Sequence, residues 1–256
     1  MFCKNCKNEL SNDQSYCPNC GAKIIGNRLT INYLSSEFFE SFWRIDSNKP
    51  VLTFVDLFRK PVNVIDGYIN GLRKKYINPF GYFTIALTLT GIYTFINLNY
   101  FPEYLDNGAF QANIEEQDIS RELTTRILEH MNLLFFLFVP IITLFSRLIF
   151  LKNKKYNLAE HLIIHLYTYA HIHIITSVLI MISFISESSF RLMNFISIPI
   201  YVIYYSYVFK GLYDMSWWKT FLKTLLFLLI FGVFFLGIAT AMLMVYLKYF
   251  SELELN

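Results

Sequence analysis

The chain has 256 residues, of which 55% are hydrophobic and 18% aromatic, but only 16% charged. Soluble domains average about 25% charged residues. This composition excludes a disordered chain and an ordinary soluble domain, and it points to a membrane protein. The formal net charge of +3 is too small to suggest a nucleic-acid partner, and none is expected.

All four cysteines lie within the first 20 residues, as C-x2-C, ten residues, and C-x2-C again: Cys3, Cys6, Cys17 and Cys20. Two such turns aim four thiolates at one spot, which suits one structural zinc ion per chain. About 22 residues cannot bury a core, so the metal has to supply most of the folding energy. The alternative, a pair of disulfides, would close tiny loops in what the charge bias below marks as the reducing side. The segment resembles the short zinc ribbons at the N-termini of many bacterial membrane proteins. It is read as a docking module for a protein partner. The start Met1-Phe2-Cys3 lacks a basic stretch followed by an apolar run, so no signal peptide is expected.

Residues 31–46 predict an amphipathic helix, with Ile31, Leu34, Phe38, Phe42 and Ile45 at three- and four-residue spacing. Lys49-Pro50 breaks it. A second short helix is predicted over about Thr53–Arg59, and a third opens with Pro61 in its first turn and carries Ile65, Tyr68, Ile69 and Leu72. These helices either pack on each other or lie in the membrane interface.

Five stretches are long and apolar enough to predict spans: 80–98, 133–151, 158–185, 192–209 and 221–246. The fold class expected is therefore an all-α polytopic membrane protein. It divides into a zinc ribbon (1–24), cytosolic or interfacial amphipathic helices (25–79) and a five-span domain (80–256) with an external acidic loop (101–130). Basic residues set the orientation. Arg73, Lys74 and Lys75, then Lys152, Lys154 and Lys155, then Lys210, Lys219 and Lys223 fall on one side. Loop 101–130 carries seven acids against Arg121 and Arg126, a net charge of −5, on the other. The N-terminus is then cytoplasmic and the C-terminus outside, in a bacterial inner membrane. Trp217 and Trp218 read as interfacial anchors.

The stretch Asp66-Gly67-Tyr68-Ile69-Asn70-Gly71-Leu72-Arg73-Lys74-Lys75-Tyr76-Ile77-Asn78-Pro79 contains Y-x-x-G-x-R-x-x-Y-x-x-P. With the ribbon, it resembles a bacterial membrane family known only as domain of unknown function 3667. Tyr68, Gly71, Arg73, Tyr76 and Pro79 match the element. An R-P-G element of that family is imperfect here, because Lys60 separates Arg59 from Pro61 and Val62 stands where glycine is expected. The resemblance implies an architecture and no activity. Physically, the element reads as a membrane entry, with Tyr68 and Tyr76 at the interface and Arg73, Lys74 and Lys75 as candidate lipid or anion contacts.

Four of the five histidines fall in the third span, behind Glu160: His161, His165, His171 and His173. Ionisable groups in a span are costly and face a bundle interior. At about 100° per residue, His161 and His165 share a face and His173 lies about 120° from His161. Glu160 and these histidines form a candidate polar or ligand site, with interhelical hydrogen bonding as the plainer reading. No Gly-rich phosphate loop, nucleophile elbow or paired-carboxylate site is present, so the reading leans away from an enzyme. Three functions stay open: a regulator, scaffold or membrane effector; a transporter or channel-like protein, which a homo-oligomer could complete; and a metal-dependent membrane enzyme on lipids.

Overall fold

The computed structural model describes residues 1–11, 14–24, 28–41, 49–105, 125–126, 128 and 130–254. It is all-helical, with no strand among the described residues. Among the described residues eight helices follow a ribbon head: α1 (Ile31–Ser41), α2 (Lys49–Arg59), α3 (Pro61–Ile69), α4 (Pro79–Tyr100), α5 (Met131–Ile149), α6 (Leu158–Ser183), α7 (Glu187–Tyr213) and α8 (Trp217–Glu254). A 3-10 turn, Pro102–Leu105, follows α4. The predicted extension of α1 to residue 46 and most of the acidic loop 101–130 lie outside the described residues.

Local chemistry sets the ends. Asn78 caps α4, its side-chain oxygen accepting from the Gly81 N–H at 2.7 Å, with Pro79 in the first turn where a missing N–H costs nothing. Asn157 and Glu160 form a reciprocal capping box at the start of α6. Ser186 caps α7, which stops at Asp214 in the left-handed region (φ 50°).

Helix α6 is the axis. Its apolar window is 83% buried, against 11% for α8. It packs against α4, α5 and α7, while α8 lies outside on α7 and α5. The sequence accounts for the difference. α6 carries histidines, tyrosines and threonines that need partners, whereas α8 is apolar all round and can face lipid.

Four helices are long and apolar enough to cross a membrane: α4, α6, α7 and the Trp217–Ile238 part of α8. The fifth predicted span forms as α5, but its apolar run, Leu133–Ile149, is shorter. Four described helices therefore meet the spanning length, not five. Pro140 inside α5 removes one helical hydrogen-bond donor from that run.

α2 and α3 make a short hairpin laid against the bundle. α2 begins at Lys49, four residues before its predicted start, because Pro50 is tolerated in a first turn. It buries Thr53, Asp56 and Leu57 and exposes Val51, Leu52, Val55 and Phe58. The packing reading describes one face; on the other, Val51, Leu52 and Val55 are exposed, while Phe58 also touches the His171 ring at 4.5 Å.

The α3–α7 crossing is tight. A methyl added at Gly211 would sit 2.5 Å from Val62 Cγ2. Valine is β-branched and cannot swing aside cheaply. Gly211→Ala should cost about 1–3 kcal/mol. The double variant with Val62→Ala should recover most of it in a thermal unfolding assay.

Candidate functional site

The head consists of two matching knuckles. Cys3 N–H donates to the Asn8 carbonyl and Lys7 N–H to the Cys3 carbonyl; Cys17 N–H donates to Ala22 and Gly21 N–H to Cys17. Lys7 (φ 63°) and Gly21 (φ 64°) occupy the same left-handed corner, where only glycine is unstrained. The four Sγ atoms lie within 4.8 Å of one another, with Cys3–Cys20 at 3.7 Å and Cys6–Cys17 at 3.6 Å. Four sulfurs at about 2.3 Å from a tetrahedral ion would be separated by about 3.8 Å, so the residues fit a metal. Their acidities agree. Burial raises the Cys3 thiol, but the Cys6 and Asn5 N–H groups outweigh it and leave it at about 6. At Cys20 the Ala22 N–H lowers the thiol, yet burial and the neighbouring Cys6, Cys17 and Cys3 push it up to about 12. Four thiolates cannot share this volume without a cation. Among the described residues this is the one group of three or more Cys, His, Asp or Glu with metal-ligand geometry.

The head is latched to the helices at two places. The Lys74 N–H donates to Asn5 Oδ1 at 2.8 Å, and Gly21 sits beside the Lys74 ammonium. Past the ribbon, Arg28 grips Glu160 with two bonds of 2.7 Å and the Lys155 carbonyl with a third of 2.6 Å. Asn157 donates to the Leu29 carbonyl at 2.9 Å. Glu160, a candidate ligand from the sequence, is therefore used twice, in the capping box and in this clamp.

The entry element folds inward. Tyr68 and Tyr76 are 1% and 3% exposed, so the interfacial role expected of them gives way to a buried one. Tyr76 donates its hydroxyl to Asp56 Oδ2 at 2.7 Å. Burial works to raise the Asp56 carboxyl, but the Tyr76 hydroxyl and the Lys60 ammonium (3.4 Å) hold it below the usual carboxylate range. A depressed carboxylate stabilises the fold above its unfolded value of about 3.9 and loses that contribution as pH falls through the folded value. Thermal stability should therefore drop below about pH 4. Asp56→Asn should flatten that portion of the pH profile.

Arg73 stacks on Tyr68, its guanidinium carbon 3.7 Å from the ring centroid, with Tyr33 at 5.6 Å on α1. Its side chain is 7% exposed and its nearest acid, Glu37, is 3.9 Å away. Lys74 and Lys75 are exposed beside it.

The histidines do not converge. His161 is held on both ring nitrogens, by Ser146 (2.8 Å) and Tyr213 (2.9 Å). His165 bonds Tyr205 (3.2 Å), His171 bonds Tyr82 (2.8 Å) and His173 bonds Tyr201 (2.8 Å). Each takes its own tyrosine, three of them from α7, which fits the interhelical reading. The second ring nitrogens of His165 and His171 are buried without a partner. His173 also lines a cavity of about 300 Å³ between α4, α5, α6, α7 and α8, with Tyr93, Tyr169, Ser177, Asn194 and Tyr201 among its walls. A second cavity of about 330 Å³, lined by apolar side chains apart from Ser35, lies under α1.

Sequence reasoning missed Arg28, Tyr33, Glu37 and Asp56. Only the contacts across the fold mark them, and nothing in their local pattern does.

A family described as "Protein of unknown function (DUF3667)" has a model that matches residues 50–91. Those residues are α2, α3, the Arg73 loop and the first half of α4, and they carry one of the two latches, the Asn5–Lys74 contact. No curated protein and no solved structure matches the chain.

Proposed function

We propose that the chain is a bacterial inner-membrane regulator, scaffold or effector whose cytosolic zinc head docks a protein partner. The observation that carries this reading is the outer side of the head. One side is fixed to the helices through Asn5 and Lys74. Phe2 and Tyr16 occupy the same position in each knuckle, one residue before Cys3 and Cys17, and are 67% and 57% exposed. Aromatic side chains left in water on a rigid, metal-held module are suited to an interface. Zinc suits the four-thiolate set, and no other role for the head is needed to explain its fold. The basic edges carrying Arg73 to Lys75, Lys152 to Lys155 and Lys210 to Lys223 support a cytoplasmic side for this head. The test places a photo-reactive amino acid at position 2 or 16 in cells. A discrete protein adduct is expected, lost when Cys17→Ser unfolds the head. Adducts no different from those formed at Ile185, an exposed site between α6 and α7, would sink the reading.

One observation favours a second reading, a polar path through the bundle. The cavity at His173 sets tyrosines, Ser177, Ser197 and Asn194 among phenylalanines in a largely apolar wall. Polar groups at such depth commonly mark ion or solute routes. Ion flux in liposomes that falls with Tyr201→Phe would support it. Flux equal to that of empty liposomes would remove it.

A further inference from the structure

Arg73 lacks a hydrogen bond at every nitrogen. Nε, Nη1 and Nη2 are all buried, the side chain being 7% exposed, and none has a hydrogen-bond partner among the described residues. A guanidinium offers five donors and stays charged, so a buried one without acceptors is costly. Glu37 lies at 3.9 Å, beyond hydrogen-bond length, and its own Oε2 is equally unpartnered. The two charges face each other across a gap that neither closes. Among the described acids, Asp56 is taken by Tyr76 and Lys60, Asp66 by the Tyr156 hydroxyl and Glu160 by Arg28. Lys23 adds positive charge at the Tyr33 ring, 5.3 Å from its centroid. The surroundings therefore favour an anion with several acceptor oxygens.

Helix α1 connects this place to an apolar one. Its Tyr33 and Glu37 cover Arg73. The next residue in each case, Leu34 and Phe38, lines the apolar cavity of about 330 Å³. The same alternation occurs on α6, where Leu166 lines the cavity and Tyr167 packs on Tyr68 at 5.9 Å. The remaining walls come from α4 and α5, including Phe83 and Val139. An oxyanion site and an apolar slot thus lie on adjoining faces of one short helix, at the basic end of a membrane bundle.

We propose that this pair of features binds one anionic phospholipid. Its phosphate takes the position that Glu37 now approaches, accepting from Arg73, and an acyl chain enters the slot beneath α1. Glu37 acts as an internal competitor, and the lipid releases α1 from Arg73. The proposal is independent of what docks on the head.

The test uses the full chain in detergent, titrated with dioleoyl phosphatidylglycerol or dioleoyl phosphatidylcholine and read by native mass spectrometry. One phosphatidylglycerol per chain should be retained at least tenfold more tightly than phosphatidylcholine. Arg73→Gln should erase that preference, and Leu34→Trp, which fills the slot, should weaken retention without changing charge. Zinc content, measured on each variant, reports that the head is still folded. Glu37→Gln separates the proposal from a purely structural ion pair. A competitor's removal raises phosphatidylglycerol retention, whereas loss of a structural pair lowers thermal stability with no gain in lipid. Equal retention of the two lipids, an unchanged preference in Arg73→Gln, or displacement of the lipid by equimolar inorganic phosphate would overturn it.

Discussion

Cys17→Ser, or removal of the metal by a chelator, should unfold the first 24 residues and leave the helical bundle standing. Cys17 is 1% exposed, and the head's own buried cluster is little more than Cys3, Leu10, Cys17 and Ala22. That area cannot hold a chain of this length together. A structural four-thiolate zinc contributes about 10–16 kcal/mol of apparent binding energy at neutral pH, and in so small a module that is folding energy. Serine at one corner removes a thiolate and leaves three that repel one another. The unfolded head then gives up the Asn5–Lys74 contact, which depends on the first knuckle holding Asn5 in place. Limited proteolysis should cut between residues 1 and 24 in the variant and spare them in the metal-loaded protein. The Arg28–Glu160 clamp should survive, because it lies after the ribbon and is anchored by the α6 capping box. A variant that kept its metal and its protease resistance would show that Cys17 is not a ligand.

The same contrast explains what could be read from the chain alone. The knuckles were legible because each is local: two cysteines, a turn and a left-handed corner within a few residues. The spans were legible from length and apolarity, and the interior position of α6 from its four histidines. What escaped were partners chosen across the fold. Arg28 and Glu160 are 132 residues apart, and nothing around either indicates the other. His161 has 18 tyrosines in the chain to choose from, and only the packing of α7 on α6 selects Tyr213. Tyr68 and Tyr76 looked interfacial because tyrosine suits an interface. The hairpin of α2 and α3 buries them instead, one under Arg73 and one on Asp56. Val62 departs from the glycine of the resembled element, and the space it needs is provided by Gly211, 149 positions later.

His161→Leu should be the most damaging of the histidine substitutions. His161 is fully buried and is the histidine with protein partners on both ring nitrogens. Leucine roughly keeps the volume but strands the Ser146 and Tyr213 hydroxyls inside the bundle. Each stranded polar group costs about 1–3 kcal/mol in a folded interior. Membrane interiors moderate this, because interhelical side-chain bonds there average about 0.6 kcal/mol. A total loss of about 2–3 kcal/mol is expected from these two ranges. His173→Leu, which strands only Tyr201, should cost about half as much. A cycle with Tyr213→Phe should show coupling of about 0.5–2 kcal/mol between positions 161 and 213, since they touch. Metal content discriminates the roles. If the histidines tie helices together, His161→Leu lowers the unfolding temperature and leaves the metal content of the head unchanged. If they hold a second ion, the same variant loses metal, and adding that ion stabilises the wild type and not the variant. The arrangement favours the first outcome, because His161, His165, His171 and His173 point to four different tyrosines, whereas a shared ion requires their nitrogens to meet.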